Sequence, residues 1–387
     1  MTRSLTEGDP FKLIISFSIP LLISNLFQQL YNMIDTIVVG QCVGINAMAA
    51  VGASGSLTFL MTGFIMGLCP GLAIPVSQEY GAQNYNSMRR YVTNSLYVGM
   101  IISAIMTVIS CAGARLFLEW MSTPADIIDD AWNYCIYLFA AIPITFLYNY
   151  LSSIMRALGD SKTPLYFLIL SSVLNIPLNL FFVIVVHAGT AGVSIATVIA
   201  QLVSGVLCYI YMKKRFPILQ LSRSDWEWST PHVKKLLYIG IPMALQNSIT
   251  AIGSTVLQAA TNTFGSAIVA AVTAASKVVQ LFFQAINTVG LTMATYCGQN
   301  LGAKQLDRIK SGIRIAYAIG LIYSVFIAIV SYFWGNAVAG LFLTADADPS
   351  IMEHVESFLF VTSLGYPFLT SLMILRNSIQ GLGYSNL

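Results

Sequence analysis

Ten apolar stretches, each long enough to cross a membrane, leave this chain one practical architecture, a bundle of spanning helices. They cover about 11–39, 47–77, 91–118, 129–156, 163–187, 190–213, 233–262, 266–298, 309–343 and 351–380. A hydrocarbon core about 30 Å thick takes roughly 20 helical residues. Backbone groups in lipid must be satisfied within the segment, and a closed barrel would show short alternating strands, which are not seen here. Residue usage agrees: 56% of the chain is hydrophobic and 9% charged, where a soluble domain carries about 25% charged residues. The expected fold class is an all-α, polytopic membrane protein.

Charge gives the bundle a direction. With the amino terminus inside, inner segments hold sixteen of the nineteen basic residues, among them Arg3, Lys12, Arg89, Arg90, Arg156, Lys162, Lys213, Lys214, Arg215, Lys234, Lys235, Lys304 and Arg308. The outer loops hold Arg115 beside Glu119, Asp126, Asp129, Asp130, Asp346 and Asp348. This asymmetry predicts a multi-pass protein of the plasma (inner) membrane with a cytoplasmic amino terminus. The net charge of +3 is spent on that asymmetry, so no nucleic-acid partner is expected. Six dispersed cysteines and three dispersed histidines form no metal-ligand spacing. No nucleophile, base and metal constellation points to an enzyme, and no cofactor is expected. The amino terminus lacks a short apolar segment followed by a cleavage site, so the first helix is expected to stay.

The chain repeats itself. Ile19-Pro20-Leu-Leu-Ile-Ser-Asn25 matches Ile241-Pro242-Met-Ala-Leu-Gln-Asn247, Ala49-Ala50-Val51 matches Ala270-Ala271-Val272, and Gln78-Glu-Tyr-Gly81-Ala82 matches Gln299-Asn-Leu-Gly302-Ala303, at offsets of 222, 221 and 221. Leu158-Gly159-Asp-Ser161 matches Leu382-Gly383-Tyr-Ser385 near the last residue. The expectation is two pseudo-symmetric lobes related by an axis along the membrane normal: 1–214 with six spans, a cytoplasmic connector 215–232, and 233–387 with four. The second repeat stops early, and the sequence favours an omission of about two helices. The connector, with Trp226 and Trp228 among charges, reads as an amphipathic strip on the inner surface.

Asp35 is the residue that the bilayer makes most expensive. A charge at the centre of a membrane costs roughly 2.5–3.5 kcal/mol on insertion scales, so an acid there faces protein or water and carries function. Asn25, Gln28 or Gln29, Asn32 and Asp35 recur every three or four residues and form one polar stripe. Asp35 lies roughly 36 Å beyond the start of its helix at 1.5 Å per residue, in the outer half of the membrane. It is a candidate proton or sodium site.

Taken together, the two-lobe repeat, a proline in helices one and seven, the Asp35 context, the Gly81-Ala82 and Gly302-Ala303 loops and Arg156-Ala-Leu-Gly-Asp-Ser-Lys-Thr-Pro164 resemble the multidrug and toxic compound extrusion family, MATE, over essentially the whole chain. The resemblance implies a secondary antiporter that expels small amphipathic, cationic compounds in exchange for protons or sodium ions. It gives Asp35 the coupling role, with Asn175, Asn179 and Thr197 as partners; Asn179 stands where some members carry a second acid. Small polar side chains of this kind also serve simply to hold membrane helices together. No coupling site is expected in the second half, because the position matching Asp35 is Leu257 and acids are expected to be absent from its helices seven, eight and ten.

The central cleft is expected to be lined by Gln28, Asn32, Met33, Met61, Phe64 and Tyr148 from the first half and by Gln246, Thr250, Gln280, Phe283 and Gln284 from the second. Lys277 is expected inside the membrane. Pro20, Pro177 and Pro242 are candidate helix bends. The expected state is a monomer. Two other readings stay open: a lipid or lipid-linked oligosaccharide flippase of the same broad superfamily, and an ion channel or sensor.

Overall fold

The computed structural model describes residues 4–121, 123–264, 266–340 and 349–385. Arg3, Asp346 and Asp348 of the charge asymmetry lie outside them. The described chain is helical throughout: α1 Pro10–Val38, α2 Ile45–Gly81, α3 Tyr85–Trp120, α4 Ile128–Ala140, α5 Ile142–Ala157, α6 Lys162–Leu180, α7 Gly189–Arg215, α8 Thr230–Asn262, α9 Ser266–Gly302, α10 Leu306–Gly340 and α11 Pro349–Gly381. Their starts follow local chemistry. Asp9 caps α1 by accepting from the Phe11 N–H at 3.2 Å, with Pro10 at the first helical position where its missing N–H costs nothing.

Among the described residues, nine helices are long and apolar enough to span a membrane, and ten when α4 and α5 count as one bent span. The stretch expected as a single helix over 129–156 is these two, meeting at 52°. Pro143 explains the break. It has no N–H to donate, and its ring opposes the carbonyl four residues earlier, so the helix stops at Ala140 and restarts at Ile142. Pro20, Pro177 and Pro242, by contrast, lie inside the continuous helices α1, α6 and α8.

Two short π-helical turns had no signal in the hydrophobic pattern. Val39–Val43 extends α1 and Phe181–Val185 extends α6. Each wide turn follows within six residues of a polar side chain of the candidate site, Asp35 on one helix and Asn179 on the other. Val39 and Val183 meet in a small apolar cluster with Ala47 and Val193. The two irregular turns therefore pack together.

Packing follows small residues. Helix α2 lies along α8 where a Cβ on Gly71 would come within 2.7 Å of the Gly240 Cα. Further along the same helices, Gly52, Gly55 and Gly63 of α2 and Gly253 of α8 have open space where a Cβ would stand. The two halves of the chain thus touch closely toward the Gly81 and Gly302 end, and Asn247 of α8 still donates to the Gly63 carbonyl of α2 at 3.5 Å. The first-half core gathers Ile65, Leu68, Leu72, Phe139, Phe146 and Ile154. Helix α1 belongs to both halves: Leu13, Ile14, Phe17 and Leu21 bury against Met293, Tyr296, Cys297 and Ile309 of α9 and α10, while its outer turns meet α6.

The connector between α7 and α8 is held to the protein rather than loose. Asp225 closes a capping box with Ser222 and pairs with Arg89 at 3.4 Å. Thr93 donates to the Asp225 carbonyl and Asn94 to the Glu227 carbonyl. Trp226 and Trp228 remain exposed beside Tyr97, with ring centroids 5.8 and 6.4 Å away, as an amphipathic strip requires.

Candidate functional site

Helical spacing builds the site. Asn175 and Asn179 stand one turn apart on α6, Tyr31 and Asp35 one turn apart on α1, and Thr197 faces both from α7. The Asn179 amide donates to Asp35 Oδ1 at 2.6 Å and to Asn175 Oδ1 at 2.8 Å. The Asn175 amide donates to Thr197 Oγ1 at 3.2 Å, and Thr197 donates to Asp35 Oδ2 at 3.4 Å. These four side chains form a closed ring across three helices. Tyr31 adds its hydroxyl, which donates to Thr197 Oγ1 at 3.1 Å.

Both asparagines are fully buried and Asp35 is half-buried. An ionised carboxylate in such a place is tolerable because each of its oxygens accepts a hydrogen bond. One polar atom is left over: Asn179 Oδ1 is buried with no partner. An amide oxygen so placed can accept a hydrogen bond or a cation. The oxygens present, from a carboxylate, two amides and a hydroxyl, are the hard donors that a small cation such as sodium takes. No group of three or more His, Cys, Asp or Glu side chains converges elsewhere among the described residues.

Tyr31 escaped the sequence reading, although it stands one helical turn before Asp35. The polar stripe instead serves several neighbours. Asn25 donates to Thr288 Oγ1 of α9 at 3.0 Å, while Gln28 donates to Asn32 at 3.4 Å on an exposed face.

The cleft residues divide. Asn32, Met33, Thr250 and Gln280 are exposed, and Gln28, Gln284 and Phe283 half-buried. Met61 and Tyr148 are not cleft residues: both are buried, Met61 in the first-half core with half-buried Phe64 packed against it. Met61 fills space inside that core, and Tyr148 packs toward α7, where a Cβ on Gly205 would lie 3.7 Å from the Tyr148 Cβ. Phe283 packs with Ile286, Ile327 and Tyr366. Gln246 lies 2.8 Å from the Gln380 amide and, with its oxygen turned to α11, 3.0 Å from Arg376 Nη2. Arg376 is half-buried, as is Arg156 of α5, whereas Lys277 is exposed. The second-half helices are also not free of acids. Glu353 and Glu356 stand in the first turns of α11, both exposed.

A family model described as MatE matches residues 20–181 and 242–387. The probable multidrug resistance protein YoeA of Bacillus subtilis (strain 168) is 26% identical over 390 residues, covering 99% of this chain and 84% of the relative. The FAD transporter of Shewanella oneidensis is 20% identical, covering 95% of this chain and 82% of its own. A solved structure described as the outward-facing conformation of a multidrug resistance MATE family transporter superposes with a TM-score of 0.91 at 23% identity, covering 99% of this chain and 85% of the other. Fold and matched model together define a multi-pass membrane transporter, not an enzyme. The chain belongs to the MatE family.

Proposed function

We propose that this transporter exports small amphipathic, cationic organic compounds by alternating access and couples export to entry of a proton or sodium ion at Asp35. The hydrogen-bonded ring of Asp35, Asn179, Asn175 and Thr197 carries the proposal. Charged Asp35 needs donors, which Asn179 and Thr197 supply. Protonated Asp35 has an O–H that needs an acceptor, and the unpartnered Asn179 Oδ1 supplies one when the amide turns over. A bound sodium ion would use the same oxygens. Either event changes which bonds tie α1 to α6 and α7, and so biases one state over the other by differential stability. Coupling is a property of the first lobe, residues 1–214, with the amino terminus in the cytoplasm as the charge asymmetry requires.

Several MatE relatives are described as multidrug resistance proteins, which supports the substrate class. The direct test is Asp35→Asn in everted vesicles with ethidium as the probe. The variant should be expressed at the usual level yet lose gradient-driven uptake by tenfold or more; full uptake would refute the assignment.

One observation favours a second reading, export of an anionic amphiphile. The Arg376 guanidinium has no carboxylate within 4.0 Å among the described residues and touches only Gln246 and the Met373 sulfur. Competition between ethidium and a flavin nucleotide for uptake separates the two.

A further inference from the structure

The matched segments Gln78-Glu-Tyr-Gly81-Ala82 and Gln299-Asn-Leu-Gly302-Ala303 meet at the end of the molecule away from Asp35. Gln78 of α2 donates to the Gly381 carbonyl, the last of α11, at 3.0 Å. Gln299 of α9 donates to the Ala157 carbonyl, the last of α5, at 2.7 Å. Ala157 and Gly381 are themselves partners in the repeat, each immediately before the matched Leu158-Gly159 and Leu382-Gly383. Each half of the chain therefore sends one glutamine across to close a helix end in the other half. Both glutamines are buried, Gln299 completely.

The backbone crossing is reciprocal too. A Cβ on Gly81 would overlap the Gln299 carbonyl, and one on Gly302 would overlap the Gln78 carbonyl. The carbonyls at the end of a helix lack intrahelical partners and must find a donor or water. Here they find a glutamine from the opposite half. When the halves part at this end, water can replace both bonds. The closed form is then favoured by each bond only modestly, by a factor of about two to twelve, as for an ordinary hydrogen bond exchanged with solvent. A contact that seals one face and yet opens in every cycle needs this property.

One side is reinforced. The Leu5 N–H donates to Gln299 Oε1 at 2.8 Å, and Arg308 donates to the Gly8 and Leu5 carbonyls at 2.8 and 3.3 Å. The segment before α1 thereby holds the Gln299 amide in the orientation that donates to Ala157.

We infer that Gln78 and Gln299 are the paired positioning residues that lock the cytoplasmic face of this transporter, and that breaking either bond shifts the protein toward the state open on that side. The inference rests on alternating access, and not on Asp35.

Spin labels at exposed Asn86 and Leu306, in protein reconstituted in lipid nanodiscs with exposed Cys42 replaced by serine, report the separation of the two halves at this end. Gln78→Met and Gln299→Met keep side-chain length and remove the donor. Each should raise the population with parted ends about three- to tenfold, Gln299→Met by the larger factor because it also takes the acceptor of the Leu5 N–H, and together multiplicatively. A double-cysteine variant guards against misfolding. A Cβ built on Gly298 lies 3.4 Å from the Ser77 Cβ, close to the separation of about 3.5–4.5 Å that a disulfide takes. Oxidised Ser77→Cys with Gly298→Cys should show the short distance alone, and reductant should restore the spread. Methionine variants with unaltered distance distributions, or an oxidised pair that leaves the long distance populated, would overturn the inference. Because the readout uses no ion gradient and no substrate, failure of the Asp35 assignment would leave it standing.

Discussion

Asp35 is supported by neighbours that are small, neutral and able to turn, and under the proposed coupling they would let one carboxylate accept different cations. Asn179 is the pivot: one amide donates to both Asp35 and Asn175, while its oxygen is idle. Tyr31→Phe removes the hydroxyl bond to Thr197 and nothing else. It should slow coupled ethidium uptake by about two- to twelvefold, the range of one net hydrogen bond of about 0.5–1.5 kcal/mol, measured as initial rates in everted vesicles. Asn179→Leu should cost more, since Asp35 then loses its 2.6 Å donor and a buried charge without a partner is strongly unfavourable. Asp35 was legible in the sequence because a membrane acid is rare and costly. Tyr31 was not, because a tyrosine in an apolar helix looks like packing until a partner on a third helix is known. Met61 and Tyr148 show the converse error: a methionine or aromatic suits a cleft wall and a core equally, and only the packing of α2 and of α5 against their neighbours decides.

At the scale of elements, hydropathy located every described span to within a few residues but missed how two of them change pitch. The π turns at Val39–Val43 and Phe181–Val185 leave hydrophobicity unchanged, so no periodic pattern betrays them. The break before Pro143 was visible as a proline, yet Pro20, Pro177 and Pro242 are prolines too and lie within continuous helices. Which proline interrupts a helix depends on packing around the carbonyl it frees. The connector carries its own prediction. Asp225 accepts from the Ser222 N–H and hydroxyl, both at 2.7 Å, and pairs with Arg89. Asp225→Ala should lower stability by about 1–2 kcal/mol, in the range of a lost helix cap, read as a fall in melting temperature in detergent. Asp225→Asn, which keeps an acceptor, should recover much of it.

Across the whole molecule, the two halves are tied to each other at the glutamine pair and again where Asn25 meets Thr288. The repeat was legible as matched segments, and its physical meaning emerged only when the matched glutamines were seen to exchange partners. Helix α1 is the element that can connect the ends. Its first turns are buried in the second half and its last turns carry Asp35, so a change in the ring can reach the lock along one helix. The proposed antiport makes a reciprocal demand on such a machine, because coupled fluxes must drive each other in both directions. In proteoliposomes with no ion gradient, an outward ethidium gradient should therefore drive inward movement of protons or of sodium, reported by a pH dye or by sodium-22, and Asp35→Asn should abolish that movement. Ethidium leaving without any counter-moving ion, or ion movement undiminished in Asp35→Asn, would contradict coupling at Asp35.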